Sequence, residues 1–219
     1  MKYLKILGLA VIAAAALMAI VGAGTASAQS EEKAALCKVT PTAGICSVAN
    51  TYPAGTEIHA VLAPGTIAVL TPKGEQVLVE CEESTLAGKT ETETTPTGPI
   101  TALTWGKCQH NGIEEVKTVE TGKLTVHHDT EPEGEHNGIL TAEGVSVTVR
   151  GIFGGLHCDY GGIIKEGLTV TGGNPAKVDA TATVELTGQT GFLECPESAV
   201  WHAEYEVTEP TPLYVGTHE

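Results

Sequence analysis

Apolar residues in this chain recur at every second position. Over residues 177–187, Val178, Ala180, Ala182, Val184 and Leu186 share one face, and Lys177, Asp179, Thr181, Thr183, Glu185 and Thr187 share the other. Over residues 201–208, Trp201, Ala203, Tyr205 and Val207 alternate with His202, Glu204, Glu206 and Thr208. Val145, Val147 and Val149 alternate with Ser146, Thr148 and Arg150, and Leu124 and Val126 carry the same period upstream. Successive side chains of a strand point to opposite faces, so each segment predicts a strand with one buried face. Residues 76–81 and 100–105 are further strand candidates.

Turn chemistry separates these strands. Asn111-Gly112 and Asn137-Gly138 suit tight hairpins, whose central residues need positive φ. Gly172-Gly173-Asn174-Pro175 ends one strand before the next begins. Residues 30–36 predict a short helix with Ser30 as its cap, and nothing later carries a helical period. Residues 88–99 have almost no apolar side chains and predict a mobile loop, or a stretch for O-glycosylation. The fold class expected is all-β: an antiparallel β-sandwich or jelly-roll-like domain stabilised by disulfides.

The N-terminus reads differently. Met1 to Lys5 is basic, residues 6–21 are apolar, and Ala26-Ser27-Ala28 is a small-residue cleavage site. Residues 1–28 therefore predict a secretory signal peptide. Residues 29–50 predict a disulfide-clipped arm, and residues 51–219 a single β-sandwich domain. The 219-residue chain would leave 191 residues after processing, enough for one large β domain. The product is expected to be secreted, extracellular or at the cell surface, with no membrane span after processing.

Composition narrows the function classes. The formal charge is −15, and loss of Lys2 and Lys5 leaves 10 basic against 27 acidic residues. An acidic chain without a basic patch is expected to bind no nucleic acid, because phosphate contacts need Lys or Arg. Threonine is abundant, with 29 of 30 beyond residue 28, and its branched Cβ suits strands.

Six cysteines, Cys37, Cys46, Cys81, Cys108, Cys158 and Cys195, allow 15 pairings. Pairing of sequence neighbours is expected, because each pair flanks a hairpin or short excursion. Loop closure then contributes about 2.7, 3.6 and 3.9 kcal/mol in chain order. No C-x-x-C zinc motif is present. His157-Cys158-Asp159 is not a thiol catalytic unit, since adjacent strand residues face opposite ways.

Three constellations could carry chemistry. Residues 127–136 hold His127, His128, Glu133 and His136, and a loop could gather them on a divalent metal; a solvated acidic hairpin tip is the simpler reading. Glu204 and Glu206 share a strand face, with Glu209 just beyond, and paired carboxylates at this range perform glycoside hydrolysis. These six residues, 204–209, loosely resemble the E-x-D-x-x-E motif of jelly-roll β-glucanases, but Glu206 stands where that motif has Asp. Trp201 and Tyr205 turn away from the carboxylates, as core residues do. Residues 151–162 are glycine-rich and suit either a pocket lining or a bulge anchored by Cys158. No cofactor or nucleophile motif occurs.

The Ala/Gly-rich leader, the sparse aromatics and the Thr-rich strands around Cys81-Glu82-Glu83-Ser84 and Trp105-Gly106-Lys107-Cys108 resemble uncharacterised secreted β-proteins of high-GC actinobacteria. The resemblance spans most of the chain and implies export and a β fold. It carries no assigned function and no functional residue.

The leading expectation is a secreted non-enzymatic β-sandwich acting in surface attachment or interaction. Its partner is an unknown extracellular ligand, a cell-wall polysaccharide or a protein, contacted through exposed aromatics such as Tyr52 and Tyr214. The alternatives are a carbohydrate-active enzyme using Glu204, Glu206 or Glu209, and a metal-binding module using His127, His128, Glu133 and His136. No cofactor is expected.

Overall fold

Branched residues at alternate positions favour the extended backbone, and their apolar faces must find one another to leave water. The computed structural model describes residues 33–73, 77–109, 112–129 and 138–219. The expected signal peptide, Ser30, Gln76, Asn111, Asn137, Glu133 and His136 lie outside these residues. The strands are β1 (Ala34–Cys37), β2 (Ile45–Cys46), β3 (Glu57–Leu62), β4 (Ala68–Pro72), β5 (Val79–Lys89), β6 (Thr97–Gln109) and β7 (Ile113–Glu120). They continue with β8 (Lys123–His128), β9 (Gly138–Gly151), β10 (Leu156–Ile164), β11 (Leu168–Thr171), β12 (Ala176–Gly191), β13 (Ser198–Glu209) and β14 (Tyr214–His218). The only helices among the described residues are two single turns of 3-10 helix, at Val48–Asn50 and Ile152–Gly154. The architecture is all-β, with antiparallel layers packed on a shared core.

The main sheet has 11 strands, and its pairing runs in a circuit. Long strands β5, β6, β9, β12 and β13 run the length of the molecule. Between β13 and β5 lie β3 and then β4. Between β9 and β12 lie β11 and then β10. Between β6 and β9 lie β8 and then β7. β12 pairs β13 from Ala176↔Val207 to Glu185↔Ser198 and joins the two faces. β7 faces β6 through side chains: the Trp105 indole N–H donates to Thr118 Oγ1 at 3.1 Å, and that hydroxyl donates to the Leu103 carbonyl at 2.7 Å. Closure protects the strand edges that an open sheet would present. It also defines two ends, one built on β3, β8 and β11, the other on β4, β7 and β10.

The first end is capped. β14 pairs β1 antiparallel and β2 in parallel, making a three-stranded sheet from both ends of the described chain. Leu36, Leu213 and Val215 pass from this cap into the main core. The described part of the helix expected over residues 30–36 is corrected here: Ala34 to Cys37 form a strand buried on both faces. A segment of seven residues is too short to hold an isolated helix, and pairing with β14 satisfies the backbone of Ala34 to Cys37 instead.

The mobile loop expected over residues 88–99 is also corrected. β5 runs to Lys89 and β6 begins at Thr97, leaving a short turn. Its threonines fasten it: Thr92 Oγ1 accepts from Thr97 N at 3.0 Å and donates to Thr95 O at 3.1 Å. Thr95 N donates to Ala34 O at 2.7 Å, tying the turn to the cap. Threonine hydroxyls replaced the apolar anchors whose absence predicted mobility.

Three disulfides join Cys37–Cys46, Cys81–Cys108 and Cys158–Cys195, the sequence-neighbour pairs. They indicate an oxidising compartment. No helix among the described residues is long and apolar enough to cross a membrane.

Candidate functional site

The other end finishes in hairpin turns. The β9–β10 turn is Gly151-Ile152-Phe153-Gly154-Gly155, and the β12–β13 turn carries Gly191-Phe192-Leu193-Glu194-Cys195. Leu156 pairs Gly191, so the two turns lie side by side. Phe153 is 98% exposed and Phe192 80% exposed. They are the only two phenylalanines of the chain. Ile152 and Leu193 beside them are also exposed.

The tip is held rigidly. Phe192 N and Leu193 N both donate to the Gly155 carbonyl, at 3.2 and 3.0 Å. The Cys158–Cys195 disulfide closes the base of the second turn on β10. Cys195 N donates to Gln189 Oε1 at 3.1 Å, and the Tyr160 hydroxyl donates to the Pro196 carbonyl at 3.1 Å. Ile152 N donates to Gly112 O at 2.7 Å, drawing in the β6–β7 turn.

Two local conformations set the display. Phe153 has φ 59° and ψ 20°, the left-handed region, where a bulky side chain costs about 1–2 kcal/mol. A Cβ on Gly155 would lie 2.8 Å from the Phe192 ring, so the ring rests on bare backbone there. One phenylalanine is thus strained outward and the other propped on glycine. The flanks are mainly acidic. Glu194 sits in the turn itself; Asp159 accepts from Thr148 Oγ1 and faces His157 Nε2 at 3.4 Å; Arg150 pairs with Glu115 at 3.5 Å.

The carboxylates Glu204 and Glu206 are on the outer face of β13, while Trp201 and Tyr205 turn inward and stack edge-to-face at 6.4 Å. Across the sheet Glu204 meets Asp179, and Glu206 meets Lys177 and Val61. Glu209 follows a bulge and pairs His59. None of the three lines either interior cavity. The three carboxylates stand on a solvated sheet surface.

His127 and His128 are not brought together. His127 Nε2 is 3.2 Å from Thr141 Oγ1 on the outer face, while His128 reaches 3.8 Å from a Cβ position on Gly44 in the cap. Among the described residues no three His, Cys, Asp or Glu side chains converge.

The aromatics expected at the surface are corrected. The Tyr52 hydroxyl donates to Pro212 O at 2.7 Å and its ring packs on the main core, beneath Lys38. Tyr214 packs on Ala35, Cys37 and Cys46. Phe192 escaped notice in the sequence, and Phe153 counted only as part of a glycine-rich stretch. The available signal was that both phenylalanines abut glycine where the period-2 pattern has stopped. An apolar residue outside any period has no face of the sheet to join.

The chain matches no family model, no curated protein and no solved structure.

Proposed function

We propose that this protein is an exported, non-enzymatic interaction module that attaches to a partner protein through the Phe153/Phe192 tip. The observation that carries the reading is that both phenylalanines stand almost fully exposed on adjacent, cross-braced turns. A fold-directed role would bury them, since each ring stabilises by about 2–3 kcal/mol on leaving water. Exposed aromatic anchors on a rigid scaffold are what hot spots use, because little ordering entropy remains to be lost on binding. The acidic flank favours a partner whose apolar socket is rimmed by basic groups. Export is supported by the leader-like residues 1–28 and by three disulfides.

Photo-crosslinking tests this on the surface of the exporting cells. A benzophenone amino acid at position 153 should give one discrete protein adduct, and the same group at Val48 in the cap should give none. Wild-type protein should compete the adduct away and the Phe153→Ser/Phe192→Ser variant should not. High salt should weaken the adduct. Equal labelling from both positions, or retention on insoluble polysaccharide that survives the double substitution, would overturn the reading. Release of reducing ends in the polysaccharide tubes would revive Glu204 and Glu206 as catalytic groups.

A further inference from the structure

The capped end holds a cavity of about 130 Å³. It arises from the choice of inward side chains: Ala60, Ala142 and Ala180 occupy core positions on three different strands, where larger residues would meet in the middle. A circuit eight strands around is just wide enough to be filled by side chains or to hold one small ligand. Most of the wall is apolar, with Leu86, Leu140, Leu168 and Val170 among its members. The one charged residue in the wall, Lys89, is exposed at the end of β5. An ion inside would therefore lose its hydration with no counter-charge.

Polar groups in the wall are paired, with one exception. The Tyr205 hydroxyl is 2.9 Å from Ser84 Oγ. Thr90 Oγ1 donates to the Pro53 carbonyl and Thr97 Oγ1 to the Thr95 carbonyl. The Trp201 indole N–H is buried and has no hydrogen-bond partner among the described residues. Trp201 stands in the walls of both this cavity and a smaller one of about 40 Å³ toward the tip. A buried donor without an acceptor is costly to the fold, so it points to a group that arrives with the ligand.

We propose that the capped end binds a small, uncharged, largely hydrocarbon molecule carrying one hydrogen-bond acceptor, to which the Trp201 N–H donates. The volume sets the size: a dry apolar cavity of about 150 Å³ takes benzene, so the ligand is a single ring or a short branched chain. This site is separate from the tip and stands or falls independently of the attachment reading.

Nitrogen-edited NMR of the exported chain tests it, because only Trp105 and Trp201 contribute indole N–H signals beyond residue 28. A Trp105→Phe variant assigns them. Cyclohexanone should move the Trp201 N–H signal downfield and saturably, leaving Trp105 bonded to Thr118. Toluene, similar in size and without an acceptor, should bind without that downfield shift. Ala180→Leu and Ala142→Leu each fill the space from a different strand and should abolish the cyclohexanone response; either one that keeps its β-sheet spectrum decides. No saturable response to either probe, or an undiminished response in a folded filled variant, overturns the site. An equal N–H shift from toluene overturns the acceptor.

Discussion

The two ends of the molecule use their aromatic residues in opposite ways. At the tip, Trp105, Tyr160 and Trp201 line the interior and leave a void of about 40 Å³, and two further rings stand outside in water. At the cap, Trp201 and Tyr205 share the wall with Ala60, Ala142 and Ala180, the void is about 130 Å³, and the rings nearest the surface, Tyr52 and Tyr214, are packed down. Nothing in strand pairing requires this asymmetry, since the same five long strands serve both ends. A chain that keeps its only phenylalanines outside while leaving its interior underfilled is not arranged for stability alone. Interior volume and outer display are the two features that folding does not explain, and they lie at opposite ends.

The disulfides offer the hardest test of the contrast. Cys158→Ser/Cys195→Ser removes the brace under the tip and should lower stability by about 4 kcal/mol on loop-closure grounds. Cys37→Ser/Cys46→Ser, in the cap, should cost about 2.7 kcal/mol by the same reckoning. Urea unfolding ranks the two. Amide exchange across residues 191–195 should quicken only in the first variant. Equal exchange there in both would mean that the backbone bonds to Gly155, and not the disulfide, hold the tip.

Core enlargement should change sign between the ends. Ala68→Leu, beside the small tip cavity, overpacks and should cost about 1–3 kcal/mol. Ala180→Leu, facing the large cavity, should be neutral or stabilise by about 1 kcal/mol. Thermal unfolding of the pair measures both, and destabilisation by Ala180→Leu of the same size as Ala68→Leu would mean that the cap interior cannot accept added volume.

Alkaline pH should act through Tyr205, which lines the large cavity. Burial pushes its phenol well above the ordinary value, and the hydrogen bond with Ser84 offsets only part of that. The folded state thus disfavours ionisation relative to the unfolded chain. The stabilisation is complete below the unfolded value of about 10 and declines by about 1.4 kcal/mol per pH unit above it. Tyr205→Phe should flatten that decline, read as urea midpoints between pH 9 and 11. The same slope in the variant would assign the decline to Tyr52, whose phenol burial also raises.

What the sequence made legible follows from where side chains decide the outcome. Alternation over β12 and β13 followed the inner and outer faces, most cleanly over Ala180–Glu185 and His202–Tyr205, because one face had to leave water. The cap was illegible for the opposite reason: Ala34 to Cys37 are buried on both sides and carry no period. Their partner β14 is almost the whole chain away, and no local pattern records such a pairing. The turn after Lys89 misled because polar hydroxyls can fasten a backbone as firmly as apolar contacts do. The outward direction of Glu204 and Glu206 was readable from their period. The tip was not, since exposure of Phe153 and Phe192 depends on two turns becoming neighbours.

The smallest effect on stability should carry the sharpest meaning. Phe153→Gly removes a ring that is 98% exposed and relieves a left-handed backbone at φ 59°. Glycine adopts that conformation without a Cβ penalty, so the variant should gain about 1 kcal/mol, less whatever entropy the unfolded chain gains. Phe192→Ala should be near neutral, since its ring is 80% exposed and lies against the bare backbone of Gly155. Both should nevertheless lose attachment, by about 2 kcal/mol or roughly 30-fold in affinity for each ring, measured as competition against the crosslinked adduct. A variant that is more stable and binds less separates display from folding in a single substitution. If Phe153→Gly is instead destabilised, the ring packs against something in solution, and the tip belongs to the fold after all.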